Sequence, residues 1–262
     1  MTIAGMDSAG GAGVHADLRT FAALGLHGAT AVAALTAQNT RGIDGVHLVP
    51  AEFVVAQVES VLADLDVRAV KTGFLGATSV VEAVGRLAAH ARLGQLVVDP
   101  VLVRADGTPM FTPEVADAYR RSLVPFATVL TPNRVEAGIL TGRDVATLAD
   151  MERAAADLAR LGPQLVVVKG GDAVDEDVES IDVVADPSGA VERLAMPMVD
   201  TPNDHGSGCT FAAATTARLA LGDSPLEAVR AAKSFVYEAL LGSAEWRVGA
   251  GHGPLDQYGW DT

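Results

Sequence analysis

Short apolar runs alternate with amphipathic stretches along most of the chain. A short apolar run bounded by turn residues predicts a buried strand, whereas apolar residues at helical spacing predict a helix. Six strands are predicted on this basis, at residues 2–5, 29–36, 67–72, 95–99, 128–131 and 165–169. Helices are predicted between them, at residues 13–24, 51–65, 78–92, 113–123, 135–141 and 148–161.

Residues 178–198 break this alternation, because two strand-like runs flank the turn Asp186-Pro187-Ser188-Gly189 and predict an antiparallel hairpin. Two alanine-rich helices are predicted after it, at residues 206–221 and 225–241. Regular alternation of strand and helix indicates a doubly wound sheet with helices on both faces. The pattern over residues 1–262 therefore predicts a single α/β domain in three layers, with a mostly parallel central sheet and a small hairpin insertion.

Composition and charge narrow the choice of partners and location. The formal net charge is −14, from 33 acidic and 19 basic residues, so the surface repels nucleic acid and anionic membranes. No apolar run approaches the roughly 20 residues of a membrane span, and no basic signal-peptide segment precedes the first strand. The single cysteine, Cys209, excludes an intramolecular disulfide. We therefore expect a cytoplasmic protein with a small-molecule substrate. Because Met1 opens directly into that strand, a strand that begins further upstream is left open.

The segment Asp204-His205-Gly206-Ser207-Gly208-Cys209-Thr210 opens an alanine-rich helix. Two glycines allow a sharp turn and the close approach of a ligand. The amides of Ser207, Gly208 and Cys209 are expected to point towards an anion at the helix N-terminus. The same position is expected to favour the Cys209 thiolate, which could then take a proton from a substrate hydroxyl. On this segment alone, a helix start with Cys209 as a small buried apolar residue is the alternative.

A second glycine-rich segment, Gly5-Met6-Asp7-Ser8-Ala9-Gly10-Gly11-Ala12-Gly13, joins the first strand to the first helix. Its spacing differs from the G-x-G-x-x-G of dinucleotide-binding folds, and the chain has no Gly-Lys dipeptide of a P-loop. A glycine loop at the carboxyl end of a strand is still a natural ligand position. Asp17, on the following helix, either accepts a hydrogen bond from a substrate or only complements the helix dipole.

Polar residues also follow later strands. Asn133 and Glu136, three positions apart, either hold a hydrated magnesium ion through water or form a capping box at a helix start. Lys169, followed by two glycines, reaches either nucleotide phosphates or solvent. Asp99 ends a buried strand, where its carboxylate either points towards a metal ion or caps the following loop.

Taken together, these segments resemble the hydroxymethylpyrimidine/phosphomethylpyrimidine kinases of the ribokinase-like superfamily. The resemblance covers residues 2 to about 256, and its motifs follow in the family's order. Besides the glycine-rich segments, they are Ala16-Asp17-Leu18-Arg19-Thr20-Phe21, Leu35-Thr36-Ala37-Gln38-Asn39-Thr40, Lys71-Thr72-Gly73-Phe74-Leu75-Gly76, Val98-Asp99-Pro100-Val101, the Asn133/Glu136 pair, Val168-Lys169-Gly170-Gly171 and Gly251-His252-Gly253-Pro254-Leu255. Each motif is short, and the specificity comes from their number and order.

The resemblance implies a ribokinase-like fold, ATP with Mg²⁺, a hydroxymethyl acceptor and a homodimer. It implies a pyrimidine pocket lined by Gly5, Ala12, Asp17, Gln38 and Phe74. It implies that Cys209 is the base, that Gly206, Ser207 and Gly208 form an anion hole, that Lys169 reaches the nucleotide, and that Asn133 and Glu136 organise magnesium through water. The implied reaction phosphorylates 4-amino-5-hydroxymethyl-2-methylpyrimidine and then its monophosphate, for thiamin synthesis.

The sequence departs from the family pattern at Met6, Phe74, Asp172 and Asp204, and in the stretch Val103-Arg104-Ala105-Asp106-Gly107. Asp204 matters most, because it adds a negative charge beside the expected anion hole and disfavours a phosphorylated acceptor. The nearest rival function is a pyridoxine or pyridoxal kinase, whose acceptor is also a hydroxymethyl heteroaromatic. Gln38 favours the aminopyrimidine, since its amide can both donate and accept along that edge.

Two other classes of protein fit the sequence less well. A non-catalytic pyrimidine-binding regulator would be favoured by loss of Cys209, Gly208, Asn133 or Glu136, and all four are present. A nicotinamide-dependent oxidoreductase fits the α/β pattern but not the glycine spacing.

Overall fold

A computed structural model describes residues 1–104, 107–171 and 179–259, so Asp172 lies outside the described residues. The strands are β1 Thr2–Met6, β2 Thr30–Asn39, β3 Gly42–Leu48, β4 Ala69–Thr72, β5 Gln95–Val98, β6 Val129–Leu130, β7 Leu165–Val168, β8 Glu179–Ala185 and β9 Val191–Pro197. The α-helices are α1 Gly13–Ala23, α2 Ala51–Leu62, α3 Thr78–Ala89, α4 Pro113–Ser122, α5 Arg134–Thr141, α6 Leu148–Ala159, α7 Ser207–Leu221 and α8 Pro225–Ser243. Every predicted strand and helix is confirmed, with small shifts at the ends.

The strands form one sheet in the order β3-β2-β1-β4-β5-β6-β7-β8-β9. The strands from β2 to β7 in this order are parallel, whereas β3 at one edge and β8–β9 at the other are antiparallel. The predicted hairpin is therefore present, and it continues the central sheet because Val183 of β8 pairs with Val168 of β7.

Side chains of the buried strands alternate between two cores, because successive residues of a strand point to opposite faces. In β5, Leu96 and Val98 pack in the core covered by α2 to α6, whereas Val97 packs with residues of α7 and α8. Helix α1 lies on this second face against α7, where Phe21 contacts Ala213 and Ala217. No helix within the described residues is long and apolar enough to cross a bilayer.

The parallel strands bring their carboxyl ends to one edge of the sheet. The chain leaves β1 for β2 on one side and returns to β4 on the other, and such a change of direction opens a crevice beside the strand ends. Asp7 follows β1, Asp99 follows β5 and Lys169 follows β7. Charged side chains from distant parts of the sequence therefore meet at this edge.

Candidate active site

The turn before α7 depends on Gly206, which caps the helix with a φ of +91°. A Cβ atom at this position would lie 2.1 Å from the carbonyl oxygen of Gly11, so only glycine fits. The contact joins the two glycine-rich segments. The amides of Gly208 and Cys209 lie in the first turn, for which the helix itself supplies no acceptor. The Ser207 amide, in contrast to the expectation, donates to the carbonyl oxygen of Asp204 at 3.1 Å.

Cys209 is partly exposed at the start of α7. Burial raises the pKa of its thiol to about 11, although the charge of Lys71 and a backbone hydrogen bond from Gly13 lower it. The expectation of a favoured thiolate is therefore wrong for this structure, because desolvation of the charged form outweighs the helix terminus and the nearby cation.

Lys169 points into the site rather than to bulk solvent. Its Nζ lies 2.9 Å from Oδ1 of Asp99, and its side chain is only 13% exposed. Asp99 also accepts a hydrogen bond from Oγ1 of Thr131 at 3.2 Å. A Cβ atom on Gly208 would lie 3.1 Å from the Lys169 Nζ. The ammonium group thus adjoins the first turn of α7, an arrangement whose positive charge and free amides are suited to an anion.

Asn133 and Glu136 form the capping box of α5. Oδ1 of Asn133 accepts from the Glu136 amide at 2.9 Å, and Oε2 of Glu136 accepts from the Asn133 amide at 2.9 Å. Oε1 of Glu136 accepts from the Leu102 amide at 3.1 Å. Burial raises the pKa of Glu136 to about 7, although the Lys169 charge lowers it. Each oxygen of the Glu136 carboxylate therefore accepts one backbone hydrogen bond, and the capping box foreseen as one of the two alternatives is present.

Asp17 is fully buried and its carboxylate is paired inside the protein. The Nζ of Lys71 donates to its two oxygens at 2.8 and 2.9 Å, and Oγ1 of Thr2 donates at 2.6 Å. Burial lowers the pKa of Lys71, but the Asp17 charge reverses this and the net shift is upward. The expected contact between Asp17 and a substrate is not available in this geometry, because no oxygen of Asp17 reaches the surface.

The other residues expected around the pyrimidine lie at the carboxyl end of β1. A Cβ atom on Gly5 would lie 2.9 Å from Cδ1 of Phe74, so the Phe74 ring lies against the β1 backbone. The rings of Phe74 and Phe111 pack with centroids 5.4 Å apart. Ala12 donates its amide to Oδ2 of Asp7 at 2.9 Å. Gln38, near the end of β2, is partly exposed.

Asp7 and His205, which the sequence pattern did not single out, join these groups. The side chain of Asp7 is 3% exposed, and its Oδ2 lies 2.9 Å from Nε2 of His205. Burial raises the pKa of Asp7, but hydrogen bonds from His205, Ala9 and Ala12 bring it below its ordinary value. The available signal was that Asp7, like Asp99, directly follows a buried strand.

Asp204 lies at the rim of the same turn. Its side chain is 53% exposed, and its Oδ1 lies 2.7 Å from Nδ1 of His252. The additional charge therefore faces solvent next to the turn that precedes α7. Within the described residues, no cluster of three or more His, Cys, Asp or Glu side chains is arranged to hold a metal ion by itself.

Helix α7 begins after a glycine turn at the carboxyl edge of a doubly wound sheet, and a lysine lies beside its first turn. This combination is that of a ribokinase-like small-molecule kinase. The fold is similar to that of the pyridoxal kinase from Staphylococcus aureus in complex with AMP-PCP and pyridoxal, with a TM-score of 0.89 and 36% identity, covering 99% of this chain and 93% of that chain. The family model described as phosphomethylpyrimidine kinase matches residues 7–256. The chain belongs to the phosphomethylpyrimidine kinase family.

Named relatives match this chain over nearly its whole length. The hydroxymethylpyrimidine/phosphomethylpyrimidine kinase of Rhizobium meliloti is 42% identical over 260 residues, which cover 98% of this chain and 96% of that protein. The chloroplastic thiamine biosynthetic bifunctional enzyme of Arabidopsis thaliana is 43% identical over 260 residues, which cover 98% of this chain and 49% of the plant protein. The chain thus spans nearly the whole bacterial relative and about half of the plant relative.

Proposed function

We propose that this protein transfers the terminal phosphoryl group of ATP to the hydroxymethyl group of 4-amino-5-hydroxymethyl-2-methylpyrimidine, and then to the phosphate of the product. One observation carries the proposal: groups suited to phosphate and groups suited to a polar ring lie next to each other. Lys169 adjoins the first turn of α7, and His205, which precedes that turn, lies 3.2 Å from the Gln38 amide.

In the proposed reaction the acceptor hydroxyl oxygen attacks the γ-phosphorus, and the bond from that phosphorus to the bridging oxygen of ADP breaks. The amides of Gly208 and Cys209 and the ammonium group of Lys169 stabilise the charge on the transferring phosphoryl group. The hydroxyl proton passes to the thiolate form of Cys209, which has first lost its own proton to solvent. Mg²⁺, bound with the nucleotide and contacted through water by Asn133 and Glu136, would neutralise charge on the phosphates.

The acceptor ring is proposed to lie between Gln38 and Phe74. The amide of Gln38 can donate to a ring nitrogen and accept from an exocyclic amino group, and the Phe74 ring, held against Gly5, offers an apolar face. Ala12, partly exposed beside Asp7, completes this wall. We assign Asp17 to holding Lys71 beneath the site rather than to the substrate, because its oxygens are already bonded.

A pyridoxal kinase is the second candidate, favoured by the likeness to the Staphylococcus aureus enzyme. The test is ADP release with magnesium-ATP and a panel of acceptors: hydroxymethylpyrimidine, its monophosphate, pyridoxine, pyridoxal and a nucleoside. We expect strong turnover on both pyrimidines. Turnover on pyridoxal alone would establish the second candidate, and binding without turnover would indicate a regulator.

We also propose a cytoplasmic homodimer. A lone cysteine cannot form an intramolecular disulfide, which suits a reducing compartment such as the cytoplasm.

The proposal of a dimer rests on the sheet edge. The exposed edge strand β3 and its neighbour β2 carry large apolar side chains, Leu35, Val46 and Leu48, that are 42%, 45% and 41% exposed. Such side chains on a sheet edge favour association. Light scattering should give twice the chain mass of 26.9 kDa, and a monomer at micromolar concentration would contradict this proposal.

A further inference from the structure

Gln38 is held through both its main chain and its side chain. Its amide N–H donates to Oγ of Ser8 at 2.8 Å, and the Ser8 hydroxyl donates back to the Gln38 carbonyl oxygen at 2.7 Å. At the end of the side chain, the atom assigned as the amide nitrogen Nε2 lies 3.2 Å from Nε2 of His205, and the atom assigned as the oxygen Oε1 lies 3.1 Å from Oγ1 of Thr36. The backbone position of Gln38 is therefore fixed, and its side-chain amide has a polar partner on each side.

Asp7 determines which atoms donate and which atoms accept in these hydrogen bonds. Its Oδ1 accepts from the Ala9 amide at 2.9 Å, and its Oδ2 accepts from the Ala12 amide at 2.9 Å. These donors stabilise the ionised carboxylate, which can only accept hydrogen bonds. Nε2 of His205 lies 2.9 Å from Oδ2 of Asp7, and it must therefore carry a proton.

The protonated Nε2 then decides which end of the Gln38 amide faces it. An amide nitrogen there would place two N–H donors against each other, whereas the carbonyl oxygen shares the imidazole N–H with Asp7. The amide oxygen and nitrogen have nearly the same shape, so the hydrogen-bond partners determine which way round they lie. The Gln38 amino group then faces Oγ1 of Thr36, which donates its own hydrogen to the Met6 carbonyl oxygen at 2.9 Å and is free to accept.

We propose that Asp7 and His205 are positioning residues that hold the Gln38 amide with its carbonyl oxygen towards His205, and that they thereby determine acceptor specificity. The inference rests on the proposed function, in which Gln38 contacts the acceptor ring. An aminopyrimidine presents a ring-nitrogen acceptor next to an amino donor. One orientation of the amide matches this pair and the reversed orientation opposes it, whereas a pyridine with a phenolic oxygen presents a different pattern.

The imidazole tautomer tests the inference directly and without any acceptor. Long-range ¹H–¹⁵N correlation spectra of the protein, labelled with ¹⁵N-histidine, distinguish a proton on Nε2 from one on Nδ1. The His205 signal is identified by its absence in His205→Gln. We expect a proton on Nε2 of His205. A neutral ring protonated only on Nδ1 would overturn the inference, whichever substrate the enzyme uses.

Kinetics of variants test whether His205 acts through Gln38. His205→Leu is expected to raise the KM for hydroxymethylpyrimidine about three- to tenfold, the usual effect of losing one hydrogen bond. The kcat and the KM for ATP should stay within about twofold, and His205→Gln, which keeps an N–H donor near the Nε2 position, should restore most of the lost affinity. Replacement of the exposed His27 by leucine is the matched control.

The two residues should be coupled in a double-mutant cycle. In a Gln38→Met background, His205→Leu is expected to change the KM no further. An equal increase in both backgrounds would overturn the inference, because His205 would then act independently of Gln38. If His205→Leu does not fold, the same cycle with His205→Gln and the tautomer measurement decide the question. Absence of pyrimidine turnover in the unmodified protein would instead contradict the proposed function.

Discussion

Cys209 is predicted to make turnover rise steeply with pH. Burial raises the pKa of its thiol to about 11. Because pH 8 is about three units below this pKa, roughly one molecule in a thousand carries the thiolate at that pH. If this thiolate takes the proton from the hydroxyl group of the substrate, kcat/KM is proportional to the fraction of enzyme that carries the thiolate. The value should therefore increase about tenfold for each pH unit between about pH 7 and pH 10.

The assay is ADP release at saturating magnesium-ATP and low hydroxymethylpyrimidine, measured over this pH range. Cys209→Ala and Cys209→Ser should fold and bind ATP, because Cys209 is a small, partly exposed side chain. Both should show a flat profile and a turnover about two to four orders of magnitude lower at the alkaline end. A flat profile in the unmodified protein, or a slope that survives in Cys209→Ala, would refute the assignment of Cys209 as the base.

Two further substitutions test charges around the site. Asp204→Thr removes an exposed charge beside the turn that precedes α7, which is proposed to bind the transferring phosphoryl group. It should raise kcat/KM for the monophosphate about two- to fivefold, less at high salt, without changing use of the unphosphorylated pyrimidine; no increase would refute the role given to this charge. Asp17→Asn leaves the fully buried Lys71 without its counter-charge and should lower the free energy of unfolding by about 3–5 kcal/mol, and addition of Lys71→Met should recover much of this loss. Asp66→Asn, in an exposed ion pair, is the control and should cost under about 1 kcal/mol; an equally small loss for Asp17→Asn would show that the buried pair is not needed.

The order of strands and helices was readable from the sequence because buried strands and amphipathic helices differ in the period of their apolar residues. Strand β3 was not predicted. Its sequence Gly-Ile-Asp-Gly-Val-His-Leu contains two glycines, and a register shift between Ala37 and Gln38 breaks the alternation along β2 and β3. Only pairing with β2, which is a tertiary contact, makes this segment a strand.

The site was predictable where a motif carries its own geometry. The start of α7 and the capping box of Asn133 and Glu136 are local, and both were among the stated possibilities. The ion pair of Asp17 with Lys71 joins residues 54 positions apart, and the position of Asp7 next to His205 joins residues 198 positions apart. Such pairs depend on how the strands are ordered, so that no short pattern could reveal them.

The Cys209 thiol shows a different limit. Its place in the first turn of a helix favours the thiolate, and this much can be inferred from sequence. The extent of its burial and the opposing charges of Asp17 and Asp99 depend on the folded structure, and they raise its pKa instead. The sequence therefore predicted the position of Cys209 but not the direction of its pKa shift.

The most direct test of the central claim is competition between two acceptors in one vessel. Hydroxymethylpyrimidine and pyridoxal are supplied at equal concentration with limiting magnesium-ATP, and the phosphorylated products are quantified by mass spectrometry. The ratio of products gives the ratio of the two kcat/KM values. We predict that the pyrimidine monophosphate and pyrophosphate are the main products. A predominance of pyridoxal phosphate would contradict the account.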